Sequence, residues 1–160
     1  MKIRTIAIAA CLMLLAACGN KVLVDDERTF DNNVWNRFTP ERFDLDIDDA
    51  DKYFHIDFTA QVDTALFRYD HLPLIVDIYS EDGVHRHIRS HIMLKTNGRW
   101  KGEMNDGYRE VSTRAYEYFS FNQTGTYRYE VKQATSQYDL EGIHSFKVHI
   151  EEAKIDLDKL

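Results

Sequence analysis

"FHIDFTAQV", residues 54–62, decides the fold. Phe54, Ile56, Phe58, Ala60 and Val62 alternate with His55, Asp57, Thr59 and Gln61. Successive side chains of a strand point to opposite faces, so a period of two gathers all five apolar groups on one side. A helix would scatter the same residues around its surface. One dry face and one wet face mark a half-buried strand of an antiparallel sheet.

The pattern extends in both directions. "FDLDID" (residues 43–48) sets Phe43, Leu45 and Ile47 against Asp44, Asp46 and Asp48. "PLIVDIYS" and "VHRHIRSHIM" flank Glu81-Asp82-Gly83, and "EVSTRAYEYFSF" and "TYRYEVKQA" flank Asn122 to Gly125. "IHSFKVHIEE" (residues 143–152) closes the series. Aromatic and β-branched residues fill the runs and glycine sits in the turns, as hairpins require. No long amphipathic helix is legible. The reading is an all-β, single-domain antiparallel β-sandwich of about eight strands; an open barrel satisfies the same pattern.

The N-terminus belongs to a different regime. "MKIRTIAIAACLMLLAACGN" has a basic start at Lys2 and Arg4 and an apolar run from Ile6 to Leu15. That run is shorter than the roughly 20 residues of a spanning helix and has the length of a secretory leader. It ends in Leu15-Ala16-Ala17-Cys18, which resembles the bacterial lipobox, where the leader is removed before a cysteine that receives lipid. The expectation is a signal peptide over 1–17, with lipidation on Cys18 anchoring the chain without spanning the membrane. Cys11 leaves with the leader, so Cys18 has no disulfide partner. Residues 18–33, polar and acidic apart from Val22 to Val24, read as a tether or as an added edge strand. The sandwich is then expected over 34–155, with a short tail at 156–160.

Charge narrows the partners. The chain has 27 acidic against 20 basic residues, a net −7 with histidine neutral. Such a balance argues against nucleic acid and against adsorption of the protein body to anionic lipid. The lipid carries the membrane contact.

"VHRHIRSH" (residues 84–91) raises the question of a metal site. On a strand, His85, His87, Arg89 and His91 share one face, and Arg86 lies on the other with Val84, Ile88, Ser90 and Ile92. A three-residue loop at Glu81-Asp82-Gly83 pairs Ile78 with Arg86 and Val76 with Ile88, and keeps most faces consistent. It sets His85 beside Tyr79 and His87 beside Asp77. His91 lies roughly 13 Å along the strand from His87 and cannot share an ion with it. His85, His87 and Asp77 fall short of a four-ligand structural site, and a solvated polar face accounts for them, so no metal is expected. The strip is cationic near pH 6 through these histidines with Arg86 and Arg89, and is suited to an acidic partner.

No Gly-x-Ser-x-Gly, Ser-x-x-Lys, His-Glu-x-x-His or phosphate-cradling glycine loop is present. The expectation is a non-enzymatic protein with no catalytic residue and no cofactor. Tyr116 and Tyr118 share a strand face in a regular alternation and would suit a glycan-binding module if exposed; packing into the core is the competing assignment.

The second half carries a family resemblance. "FNQTGTYRYEVKQATSQYDLEGIHSFKVHIEE" resembles the gliding-motility lipoproteins called GldH in Bacteroidetes, through Phe121, Gly125, Tyr127, Gln133, Leu140, Gly142, Ile143, Ile150 and Glu151. "NGRWKGE" is similar to the family's Gly-x-Trp-x-Gly loop through Gly98, Trp100 and Gly102, and Trp35 matches its early tryptophan. "GEMNDGYRE" departs from the family's usual glycine-rich continuation, and Ala134-Thr135 stand where it has Met-Arg. The resemblance implies an accessory envelope lipoprotein associated with gliding and type IX secretion, and it implies no catalytic residues. Acidic residues begin at Asp25 and not directly after Cys18, which points to the periplasmic face of the outer membrane.

Overall fold

The computed structural model describes residues 20–155. Over these residues the chain forms β1 (Val22–Thr29), β2 (Val34–Asn36), β3 (Glu41–Ile47), β4 (Tyr53–Val62), β5 (His71–Ser80) and β6 (His85–Met93). β7 (Lys95–Thr96), β8 (Arg99–Trp100) and β9 (Glu103–Asn105) are short, and β10 (Tyr108–Ser120), β11 (Gly125–Gln133), β12 (Asp139–Glu141) and β13 (Ile143–Glu152) complete the series. A single 3-10 turn at Asp31–Asn33 is the helical element among the described residues. None of the described helices is long and apolar enough to cross a membrane.

Two main sheets face each other. One has the order β1-β13-β4-β10-β9 and the other β3-β11-β5-β6, with antiparallel pairing throughout. The all-β sandwich expected from alternation is what forms. Every second residue of β4, from Phe54 to Val62, is buried. These meet Phe43, Leu45 and Ile47 of β3, Leu74 and Val76 of β5, Tyr129 and Val131 of β11, and Phe146 and Val148 of β13 in one core. Burying a large apolar side chain is worth about 1.5–3 kcal/mol, so this core dominates stability.

One segment departs from the leading expectation. Val22–Thr29 is not a tether but the edge strand β1, paired along β13 from Val22–Glu151 to Thr29–Ser145. Its acids are engaged there: Asp25 Oδ1 lies 2.7 Å from Lys147 Nζ and 3.0 Å from His149 Nδ1. The reason it escapes a pattern reading is that only Val24 is buried, in an edge strand carrying a bulge near its start. The folded body therefore begins at Val22 and not at Val34. Cys18 and the leader lie outside the described residues.

The two sides of the sandwich close differently. On one, the Arg28 guanidinium of β1 donates to the Arg42 carbonyl of β3 at 2.9 Å and covers the Phe43 ring at 4.7 Å. On the other, β6 and β10 are both edges over much of their length, because β9 pairs only with Tyr108 to Glu110 of β10. Arg86 bridges this open side, donating to the Ser120 carbonyl at 2.9 Å and lying over the Phe119 ring at 5.3 Å.

Candidate functional site

The β5–β6 hairpin positions the groups of interest. The Ser80 amide donates to the Val84 carbonyl at 3.0 Å, and Gly83 takes φ +79° in the three-residue loop between them. That loop fixes the expected register: Tyr79–His85, Ile78–Arg86, Asp77–His87, Val76–Ile88 and Ile75–Arg89. Antiparallel pairs alternate between hydrogen-bonded and non-hydrogen-bonded. Counting from Ser80–Val84, Tyr79–His85 and Asp77–His87 are non-hydrogen-bonded pairs, in which side chains stand closest. The backbone groups of His85, His87, Arg89 and His91 consequently point away from β5.

On the outer face, Asp77 is a buried carboxylate at 6% exposure in a ring of donors. His87 Nδ1 lies 2.8 Å and His85 Nε2 2.9 Å from Asp77 Oδ1, while Lys132 Nζ of β11 lies 3.2 Å from Oδ2. Burial pushes the Asp77 pKa up, and hydrogen bonds from His87, His85 and Lys132 outweigh it, holding the pKa at about 2. His85 stacks on Tyr79 at 4.6 Å with planes 3° apart, and Arg128 of β11 lies over the Tyr79 ring at 5.1 Å. Glu130, which pairs with Asp77 across the β11–β5 ladder, turns to Arg42 and Arg128 at 3.0 and 3.3 Å. His91 stands apart opposite Pro73, with its ring 6.3 Å from that of His71.

The contributions of Lys132 and Arg128 have no local signal. They depend on β11 lying beside β5, a pairing some fifty residues apart in sequence that alternation alone cannot specify. Arg86, expected to add to the cationic strip, instead crosses the sandwich to β10. The strip is His85, His87, Arg89 and His91. It continues into a groove between β6 and β10 lined by Arg89, His91, Met93, Lys101, Arg114 and Tyr116. Asp57 neutralises Arg114 through two bonds of 2.8 and 3.0 Å, whereas Arg89 and Lys101 have no carboxylate partner among the described residues.

The expected Tyr116–Tyr118 face does not form. Register shifts on either side of Tyr116 break the alternation of β10. Tyr116 turns to the core against Phe119, with ring centroids 5.5 Å apart, and Tyr118 stays outside at 52% exposure near Tyr53 and His55. A second exposed aromatic pair has no local signal in the sequence: Phe38 stacks on Tyr138 at 5.4 Å, with Arg37 5.7 and 5.9 Å from the two rings.

The residues that carry the family resemblance are mostly structural. Trp35 of β2 pairs with Leu140 of β12, and both are buried. Buried Gln133 donates to the Gln137 carbonyl at 2.9 Å and accepts from the Thr135 amide and hydroxyl at 2.8 and 2.7 Å. Phe121 packs on Tyr127 at 4.6 Å, and Lys95 Nζ lies 4.4 Å over the Trp100 ring. A Cβ on Gly102 would meet the Glu110 carbonyl oxygen at 1.8 Å, and one on Gly142 the Phe67 amide nitrogen at 2.5 Å. A family model described as GldH lipoprotein matches residues 22–150. The chain belongs to the GldH lipoprotein family. The match begins at the first residue of β1, so it spans the folded body of this GldH lipoprotein including its edge strand. Nothing among curated proteins matches the chain.

Proposed function

We propose that this GldH-family lipoprotein is a non-enzymatic accessory component of the cell envelope, anchored through lipid on Cys18, that works by protein–protein contact with gliding and type IX secretion machinery. The observation that carries the reading is the β6 edge. Its outward-pointing amides and carbonyls belong to His85, His87, Arg89 and His91, and β5 is its one strand neighbour among the described residues. An unpaired edge of this length is a template for adding a strand. Arg89, which has no carboxylate partner among the described residues, selects an extended acidic segment of an envelope protein.

The acids after Cys18 support the periplasmic face of the outer membrane. Asp25 is held by Lys147 and His149, and Asp26 by Arg28 at 2.5 Å, so they belong to the fold and not to a free acidic run.

The test is affinity purification of the lipidated chain from its native membrane, with Cys18→Ala as the control. Enrichment of motility or secretion proteins with the wild type alone supports the reading. A preparation that carries glycan and no enriched protein overturns it in favour of a glycan-binding lipoprotein.

A further inference from the structure

We propose that Asp77, His85 and His87 form a binding site for a single divalent transition-metal ion of the zinc class. The site shares His85 and His87 with the docking edge, but metal binding is measured on the isolated chain and does not require the docking reading to hold. One ligand atom from each residue lies within 4.8 Å of the other two. Two strands fix this convergence: His85 and His87 are alternate residues on one face of β6, and Asp77 stands opposite His87 in a close pair of β5.

The surroundings support a first shell of three. Both imidazole nitrogens approach the same oxygen, Asp77 Oδ1, while Lys132 takes Oδ2 and so orients the carboxylate. Tyr79 lies flat against His85 and fixes that ring. Such partners of ligating groups set their direction and basicity. Glu130, the other carboxylate nearby, is withdrawn to Arg42 and Arg128, so the donor set is two nitrogens and one oxygen. Imidazole with one carboxylate suits zinc, copper, nickel or cobalt in preference to magnesium or calcium. The His85 and His87 side chains are 44% and 51% exposed, which leaves the remaining coordination position facing solvent, the open arrangement of three protein ligands plus water. That position is accessible to a ligand group from outside the chain.

The measurement is equilibrium dialysis of Zn²⁺ against the full chain in detergent, without a polyhistidine tag, compared with His85→Ala/His87→Ala and with His71→Ala/His91→Ala. The expected result is one zinc per chain at micromolar free metal. Affinity should fall at least about 100-fold in the first variant and remain unchanged in the second, because loss of supporting groups alone costs about 10- to 100-fold. Far-UV circular dichroism and the thermal midpoint of metal-free protein verify that each variant folds. Asp77→Asn, which keeps the shape and weakens the oxygen donor, should lower zinc affinity by at least tenfold. Absence of stoichiometric zinc in the wild type, or zinc retained by the His85→Ala/His87→Ala variant, overturns the proposal.

Discussion

His87 Nδ1 lies 2.8 Å from Asp77 Oδ1 across the β5–β6 ladder, and this contact follows from the position of one glycine. Gly83 at φ +79° permits a three-residue loop, and a loop shorter by one residue would shift the ladder and turn one strand's outward side chains inward.

Asp77 is held well below the usual carboxylate range, so its ionisation is linked to folding. His85 and His87 of β6 and Lys132 and Glu130 of β11 are the charged or titratable groups that face it. With the folded pKa at about 2 against an ordinary 3.8, the ionised carboxylate stabilises the fold fully above 3.8, and this contribution disappears as pH falls towards 2. Urea unfolding of wild type and Asp77→Asn should give a stability difference that shrinks on the order of 2 kcal/mol across that window. A difference that stays constant from pH 5 to pH 2 would sink this assignment.

Trp35 is fully buried, stacked on Phe30 at 4.8 Å and against Phe146 at 5.2 Å. Trp35→Ala should destabilise by about 3–5 kcal/mol, as large aromatic truncations in cores do. Trp35→Phe retains much of the packing and should cost clearly less in the same denaturation series.

Two glycines with positive φ should behave differently. Gly142 at φ +89° abuts the Phe67 backbone, whereas Gly83 faces open space. Gly83→Ala carries only the backbone strain, about 1–2 kcal/mol. Gly142→Ala adds a clash with atoms that cannot swing away and should be the more damaging of the two by thermal unfolding.

Edge strand β1 gives a truncation test. Removing residues 1–20, which keeps the Lys21 carbonyl that accepts from the Glu152 amide at 2.8 Å, should leave the unfolding midpoint unchanged. Removing residues 1–29 strips the cover from β13, breaks the Lys147–Asp25 and His149–Asp25 contacts, and should lower the midpoint and promote association through the bared edge.

What was legible in the sequence follows these same particulars. β4 alternates without interruption and a glycine turn joins β5 to β6, so the fold class and the pairing of Asp77 with His87 could be read locally. β1 contributes one buried valine and looks like a solvated segment. β10 carries bulges that rotate Tyr116 away from Tyr118, and a bulge leaves no mark in a pattern of period two. Lys132 reaches Asp77 only because β11 lies between β3 and β5, a long-range choice set by the whole core. The residues of the family resemblance were legible as a motif, yet their role as packing positions emerged only with Trp35 against Leu140 and Gly142 against Phe67.

The most direct test of the account is a proline at Arg89. The Arg89 amide points away from β5, so Arg89→Pro should leave the β5–β6 ladder intact, since proline is tolerated where an edge amide faces solvent, while blocking the addition of a further strand. Arg89→Ala removes the charge alone. Co-purification from the native membrane, quantified by mass spectrometry, should lose the envelope partner with Arg89→Pro and weaken it with Arg89→Ala, with thermal midpoints near wild type for both. Full retention of the partner by a folded Arg89→Pro protein would contradict strand addition at β6 and move the contact surface elsewhere on the sandwich.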